Sequence, residues 1–181
     1  MITVALSATI DASHERVWRA LVDPTERLLW DERILGEITL SRGGQKADGF
    51  ARIRRKTPEN NLHKRGPGRK DPSPAPLRTT RWRFQLGGTP LVMQEEVRSA
   101  LRHGRLDCRI LIGSMQFDQT FTLHPEDDET GPRTRLGMKV VAGNSIAVIG
   151  EVVGRLEVQK IVIEHVDTTL RQIQKFCASE A

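Results

Sequence analysis

The 181-residue chain has no tyrosine, only two cysteines, and an aromatic fraction of 4%. Without tyrosine, any interior site lacks a frequent acid, base and hydrogen-bonding group. Two thiols are too few for a disulfide scaffold or a thiolate zinc site. Cys108 and Cys177 both fall on apolar faces, so they read as buried free thiols. The histidines (His14, His63, His103, His124 and His165) show no paired ligand spacing, so neither a metal nor a cofactor is expected. No apolar run approaches the length of a membrane span, and Met1 leads straight into an alternating pattern rather than a signal peptide. The expectation is a cytoplasmic protein with no transmembrane segment. The length suits one domain, residues 1–181, large enough to bury a core unaided.

What charge there is in excess sits in one place. The formal net charge is +5, yet residues 52–83 hold eleven Lys and Arg against Glu59 and Asp71, so the rest of the chain is net acidic. Within that segment, residues 57–78 hold five of the nine prolines and lose all periodicity. They read as a basic Pro/Gly-rich insertion loop that cannot bury enough surface to offset its ordering entropy. Arg54, Arg55, Lys64, Arg65, Arg69 and Lys70 are its candidate anion-binding residues, for a weak nucleic-acid, acidic-lipid or other anionic partner. The bland alternative is a solvated loop.

Elsewhere the pattern is mostly period two. Ile2, Val4, Leu6, Ala8 and Ile10 alternate with small polar residues, as in a half-buried strand. Asp11 or Ser13 caps a short helix with Val17, Trp18, Ala20 and Leu21 inward. Asp23-Pro24 ends it and starts a second, with Leu28, Leu29 and Trp30 inward. Strands are expected over 34–41 and 50–56, joined by a glycine-bearing hairpin loop. Inward rows then follow at Thr80/Trp82/Phe84/Leu86, Leu91/Met93/Glu95/Val97/Ser99/Leu101, Leu106/Cys108/Ile110/Ile112, Met115/Phe117/Gln119/Phe121/Leu123 and Thr134/Leu136/Met138/Val140/Ala142. Short turns between them mean an antiparallel meander.

The chain closes on a proline-free stretch, 145–178, capped by Asn144 or Ser145. There Ile149, Val152, Leu156, Ile163, Val166, Leu170, Ile173 and Cys177 recur at three- and four-residue steps, interrupted by Gln159. The spacing predicts one long helix with a single apolar face. Gly150 and Gly154 lower its propensity.

One strand, two short helices, a run of antiparallel strands and a long C-terminal helix is an order that resembles the START-like (SRPBCC) helix-grip superfamily. That group includes birch-pollen-allergen-like and polyketide cyclase/dehydrase-like proteins. The most telling residues run from Ile10 to Asp31: a strand ending in Asp-Ala-Ser, a Val17-Trp18 helix, Asp23-Pro24, then Trp30-Asp31. The resemblance implies an α+β fold in which a curved antiparallel sheet of about seven strands wraps the C-terminal helix and encloses a cavity. The insertion at 57–78 and the missing tyrosine depart from the common pattern. Function in this superfamily varies far more than fold, so it has to be argued from residues.

Candidate ligand-facing residues come from the inward rows: Trp82, Met93, Glu95, Cys108, Met115, Phe117, Gln119 and Met138 on strands, with Val152, Leu156 and Gln159 on the helix. Polar residues that interrupt an apolar row, Glu95 and Ser99, Gln119 and Gln159, can orient the polar end of a ligand or be satisfied by backbone and water. The leading expectation is a non-enzymatic module enclosing a small hydrophobic or amphipathic molecule. The alternative is a cyclase- or hydrolase-like enzyme using Glu95, helped by Gln119 or Ser99. That reading predicts a Glu95 more than half buried and facing the C-terminal helix. No histidine or second carboxylate occupies an obvious partner position, and the oligomeric state is left open.

Overall fold

Alternating apolar residues make strands only where neighbouring rows can cover them, and here the rows cover one another in sequence. The computed structural model describes residues 1–39, 75–86, 88–113, 115–126, 129, 131–143, 146–148, 151–153 and 155–178. Nine strands lie among them: β1 (Ile2–Ile10), β2 (Ile34–Glu37), β3 (Arg78–Leu86), β4 (Thr89–Leu101), β5 (Arg105–Ile112), β6 (Met115–Pro125), β7 (Thr134–Ala142), β8 (Ile146–Val148) and β9 (Glu151–Val153). The described residues also hold three helices, α1 (His14–Val22), α2 (Pro24–Trp30) and α3 (Arg155–Ala178). Seven strands form one antiparallel sheet in the order β1-β7-β6-β5-β4-β3-β2, and β8 pairs with β9 apart from it.

The first two strands of the chain therefore stand at opposite edges. Six inter-strand spacings of 4.8 Å put those edges roughly 29 Å apart. The chain makes that crossing through α1 and α2. Ser13 caps α1 by accepting from the Arg16 N–H at 3.2 Å, and Asp23 closes α1 while accepting from the Thr25 N–H at 2.8 Å to open α2. The turn between β5 and β6 uses Gly113 at φ +59°, a left-handed conformation that suits glycine.

One face of the sheet meets α3. Among the described side chains, the rows predicted for β3, β5, β6 and β7 are buried as expected, from Trp82 and Phe84 through Leu106, Cys108 and Ile110 to Phe121, Leu136 and Met138; the Leu86 side chain lies outside them. Val158, Val162, Val166, Leu170, Ile173 and Cys177 of α3 complete the core.

Four expectations are corrected. The last helix starts at Arg155, not near residue 145, so neither Asn144 nor Ser145 caps it, and Val152 belongs to β9. Two glycines, each worth roughly 1 kcal/mol against a helix, precede that start, and β-branched residues favour the strand pair. The apolar stripe of α3 holds as expected at Val166, Leu170, Ile173 and Cys177, but it is phased differently before them: Leu156 is 73% exposed, Gln159 is exposed, and Ile163 is 42% exposed. A helix start supporting two apolar phases buries the one that the sheet contacts, and Val158 and Val162 hold that phase. In α2, Leu28 is exposed and Leu29 is 71% exposed, while Arg27 is buried. Finally, the inward rows of β1 and β4 fray: Leu6 and Leu101 are exposed, and in β4 the register shifts between Val97 and Ser99.

The expected strand at 50–56 and the anion-binding candidates Arg54, Arg55, Lys64, Arg65, Arg69 and Lys70 lie outside the described residues.

Candidate functional site

Helix α3 packs on β1 and β7, at one side of the sheet. Further across, between α3 and the strands β3, β5 and β6, lies a cavity of about 610 Å³. Its floor is apolar: Phe84, Ile110, Ile112, Met115, Phe117 and Val140 from the sheet, Ile161 and Val162 from the helix. Apart from Gly88, its remaining lining is polar, with Glu32, Arg33, Gln85, Glu164, His165, Thr168 and Gln172. Glu32, Gln85 and Glu164 are exposed, so the cavity opens to solvent past them.

Behind the polar end runs a hydrogen-bonded chain of buried and half-buried groups. Gln119 is 2% exposed; its Oε1 stands 3.1 Å from His165 Nε2. His165 Nδ1 stands 2.9 Å from Arg33 Nη1. A guanidinium has no acceptor, so Nδ1 must accept and the ring proton must reside on Nε2, donating to Gln119. Arg33 donates through Nε to Asp31 Oδ1 at 2.8 Å, and through Nη2 to Asp31 Oδ2 at 3.1 Å and Thr169 Oγ1 at 2.9 Å. Thr169 in turn donates to the His165 carbonyl at 2.7 Å, tying this group to the helix backbone.

Asp31 is shared. Its Oδ2 also lies 3.2 Å from Arg27 Nη2, one helical turn back, and the same nitrogen lies 3.9 Å from Glu95 Oε2. The Arg27 guanidinium sits 4.4 Å above the Trp30 ring, whose Nε1 donates to the Ala20 carbonyl at 2.7 Å. Glu95 is 5% exposed and accepts from Trp82 Nε1 at 3.3 Å; the Cys108 thiol is 4.0 Å away. Two guanidinium and two carboxylate groups thus balance in the interior. Pairing is what makes their burial tolerable, since an isolated charge there would cost several kcal/mol.

The same pairing sets the protonation states. Burial alone would raise the Asp31 carboxyl; the charges of Arg27 and Arg33, with Arg33's hydrogen bonds, outweigh it and hold Asp31 below the usual aspartate value. Burial, then the Arg33 charge, pushes His165 down to about 3, so its ring is neutral at physiological pH. Burial and the neighbouring Glu95 carboxylate push the Cys108 thiol up, leaving it protonated and a poor nucleophile.

Of the residues predicted to face a ligand, Met115 and Phe117 line the cavity. Gln119 adjoins it through its bond to the lining residue His165. Trp82, Met93, Glu95, Cys108 and Met138 are buried but are not among the lining residues. Leu156 and Gln159 point outward, and nothing is described of the Val152 side chain. Glu95 is as buried as its catalytic reading demands, yet its carboxylate is engaged by Trp82 and Arg27 rather than presented to the cavity.

Arg27, Asp31, Arg33, His165 and Thr169 escaped the sequence reading. An i,i+4 Arg27/Asp31 pair flanking Trp30 was the available signal for the first two. His165 and Thr169 lie next to the apolar stripe once it is phased on Val158, Val162 and Val166.

No protein-family model matches the chain, and no curated protein matches it in sequence. Solved structures match along nearly its whole length. A START superfamily protein from Mycobacterium smegmatis is 14% identical, with 99% of both chains covered and a TM-score of 0.67. The Zhui aromatase/cyclase from Streptomyces sp. R1128 is 12% identical over 96% of this chain and 92% of its own, with a TM-score of 0.60. Ara h 8.0201 is 11% identical over 98% of each, with a TM-score of 0.55. Identities this low speak for the fold alone, and the fold is START-like helix-grip.

Proposed function

We propose that this chain is a non-catalytic binding module that takes a small amphipathic molecule into the cavity between sheet and C-terminal helix. The observation that carries the reading is the composition of that cavity: about 610 Å³, apolar across its floor, and polar at one end. That volume lies within the range of small-molecule sites, and an apolar wall with a few convergent polar groups is the usual chemistry of one. Met115, Phe84 and Phe117 supply an adaptable apolar wall. The polar end is rigid by comparison, because His165 is held between Arg33 and Gln119. The Gln119 amide nitrogen is buried without a hydrogen-bond partner among the described residues, and an acceptor oxygen on a ligand reaching the inner wall would satisfy it.

Nile red fluorescence on purified protein, with native mass spectrometry for co-purifying small molecules, tests the reading. Ile110→Trp adds bulk at the cavity floor. Saturable Nile red binding that falls at least tenfold in Ile110→Trp is the expected result. A protein that binds neither Nile red nor any extracted molecule refutes the proposal.

A further inference from the structure

The cavity sorts its ligands by charge: we infer that it takes uncharged or cationic amphiphiles and turns carboxylates away. The inference rests on the binding reading above and names the chemical class of ligand for that site. Among the described residues Arg33 is the one cationic side chain that lines the cavity, and its positive charge is spent. Its Nε and Nη2 form a two-point contact with the buried Asp31 carboxylate, Nη2 also reaches Thr169, and Nη1 is held by His165. His165 adds no charge, because its Nδ1 accepts from Arg33 and its Nε2 proton is given to Gln119. What remains is acidic. Glu32 and Glu164 line the same cavity, both are exposed, and neither is ion-paired among the described residues.

A carboxylate entering past those two side chains meets like charge, with no available cation among the described lining residues to receive it, and it sheds water as it does so. At the separations of a cavity mouth and an intermediate effective dielectric, two such repulsions amount to about a tenfold loss of affinity. An alcohol head loses nothing comparable, and a protonated amine is attracted to the mouth while its chain occupies the same apolar floor.

Displacement of the uncharged dye Nile red by decanol, decanoate and decylamine distinguishes the cases, at pH 8 and low salt, where the acid is ionised and the amine protonated. The three share a ten-carbon chain, so head charge is the variable. The expected order is decylamine at least as strong as decanol, with decanoate about tenfold weaker. The double variant Glu32→Gln/Glu164→Gln, altered only at exposed positions, is expected to bring decanoate to within about twofold of decanol, and added salt to narrow the gap in the unaltered protein. Decanoate equal to or tighter than decanol overturns the charge selection and leaves the cavity reading standing. A gap that the double variant does not narrow overturns the assignment to Glu32 and Glu164. Failure of all three to displace the dye overturns the cavity reading, and this inference with it.

Discussion

The state of His165 makes acid stability a sharp test of the buried network. Its ring is neutral in the folded protein, pushed down to about 3 by burial and by the adjacent Arg33 guanidinium, against about 6.5 in an unfolded chain. Between those two values the unfolded chain carries a proton that the folded one refuses. The stabilising contribution is therefore complete above pH 6.5 and is lost as pH falls toward 3, at up to about 1.4 kcal/mol per pH unit. Over the interval from pH 6.5 to 4.5 the loss reaches at most about 2.7 kcal/mol, an upper limit because solvent at the cavity reaches the ring. Asp31 behaves as an acid held below its usual value, so its contribution is lost only below about pH 4 and stays outside this interval. Urea unfolding midpoints of the wild type and His165→Gln, measured in steps from pH 7 to 4.5, isolate the effect. Glutamine keeps one acceptor for Arg33 and one donor for Gln119, and the other histidines contribute equally to both proteins. The wild type is expected to lose stability toward acid more steeply than the variant by on the order of 1 kcal/mol per pH unit. Parallel curves would show that the ring titrates freely, and the Arg33–His165–Gln119 chain would have to be abandoned.

Three further outcomes are expected. Glu95→Ala leaves Arg27 and the Trp82 N–H without their carboxylate and should destabilise the protein by about 3–5 kcal/mol in urea unfolding, whereas a cost under about 1 kcal/mol would mean the charges are not buried as described. On α3, Val162→Ala should cost about 1–3 kcal/mol and Leu156→Ala less than about 0.5, measured by thermal unfolding; equal costs would contradict the observed phase of the helix. Deleting residues 59–76, whose composition offers little to bury, should leave the thermal midpoint within a few degrees and remove any salt-sensitive binding to DNA, RNA or anionic vesicles. A collapse of the fold overturns the reading of this segment as a loop that buries little, and no such binding by the intact chain at low salt overturns the expected anion binding.

Period-two alternation carried much of the fold. From Arg105 to Ala142 every residue placed inward in β5, β6 and β7 is buried, because each of these strands has a neighbour on both sides and α3 or the sheet's own core above it. Caps and breakers were equally direct: Ser13, Asp23 and Pro24 act on the backbone next to them, and no distant contact is needed to explain where α1 ends. Local signals of this kind survive into the structure because their energies are local.

Other features were set only when remote segments met. The first turns of α3 can present two apolar stripes, and contact with the sheet selected the one through Val158 and Val162; that choice turned Leu156 and Gln159 outward, while His165 lines the cavity. Arg27 reads as a surface residue of a short helix, yet it is buried, since Asp31 beside it and Glu95 from a strand far away in sequence balance its charge. Arg33 and His165 lie 132 residues apart and share one hydrogen bond. Burial of a charge is decided by whether its partners arrive with it, and partners so distant in sequence are brought together only by the tertiary fold.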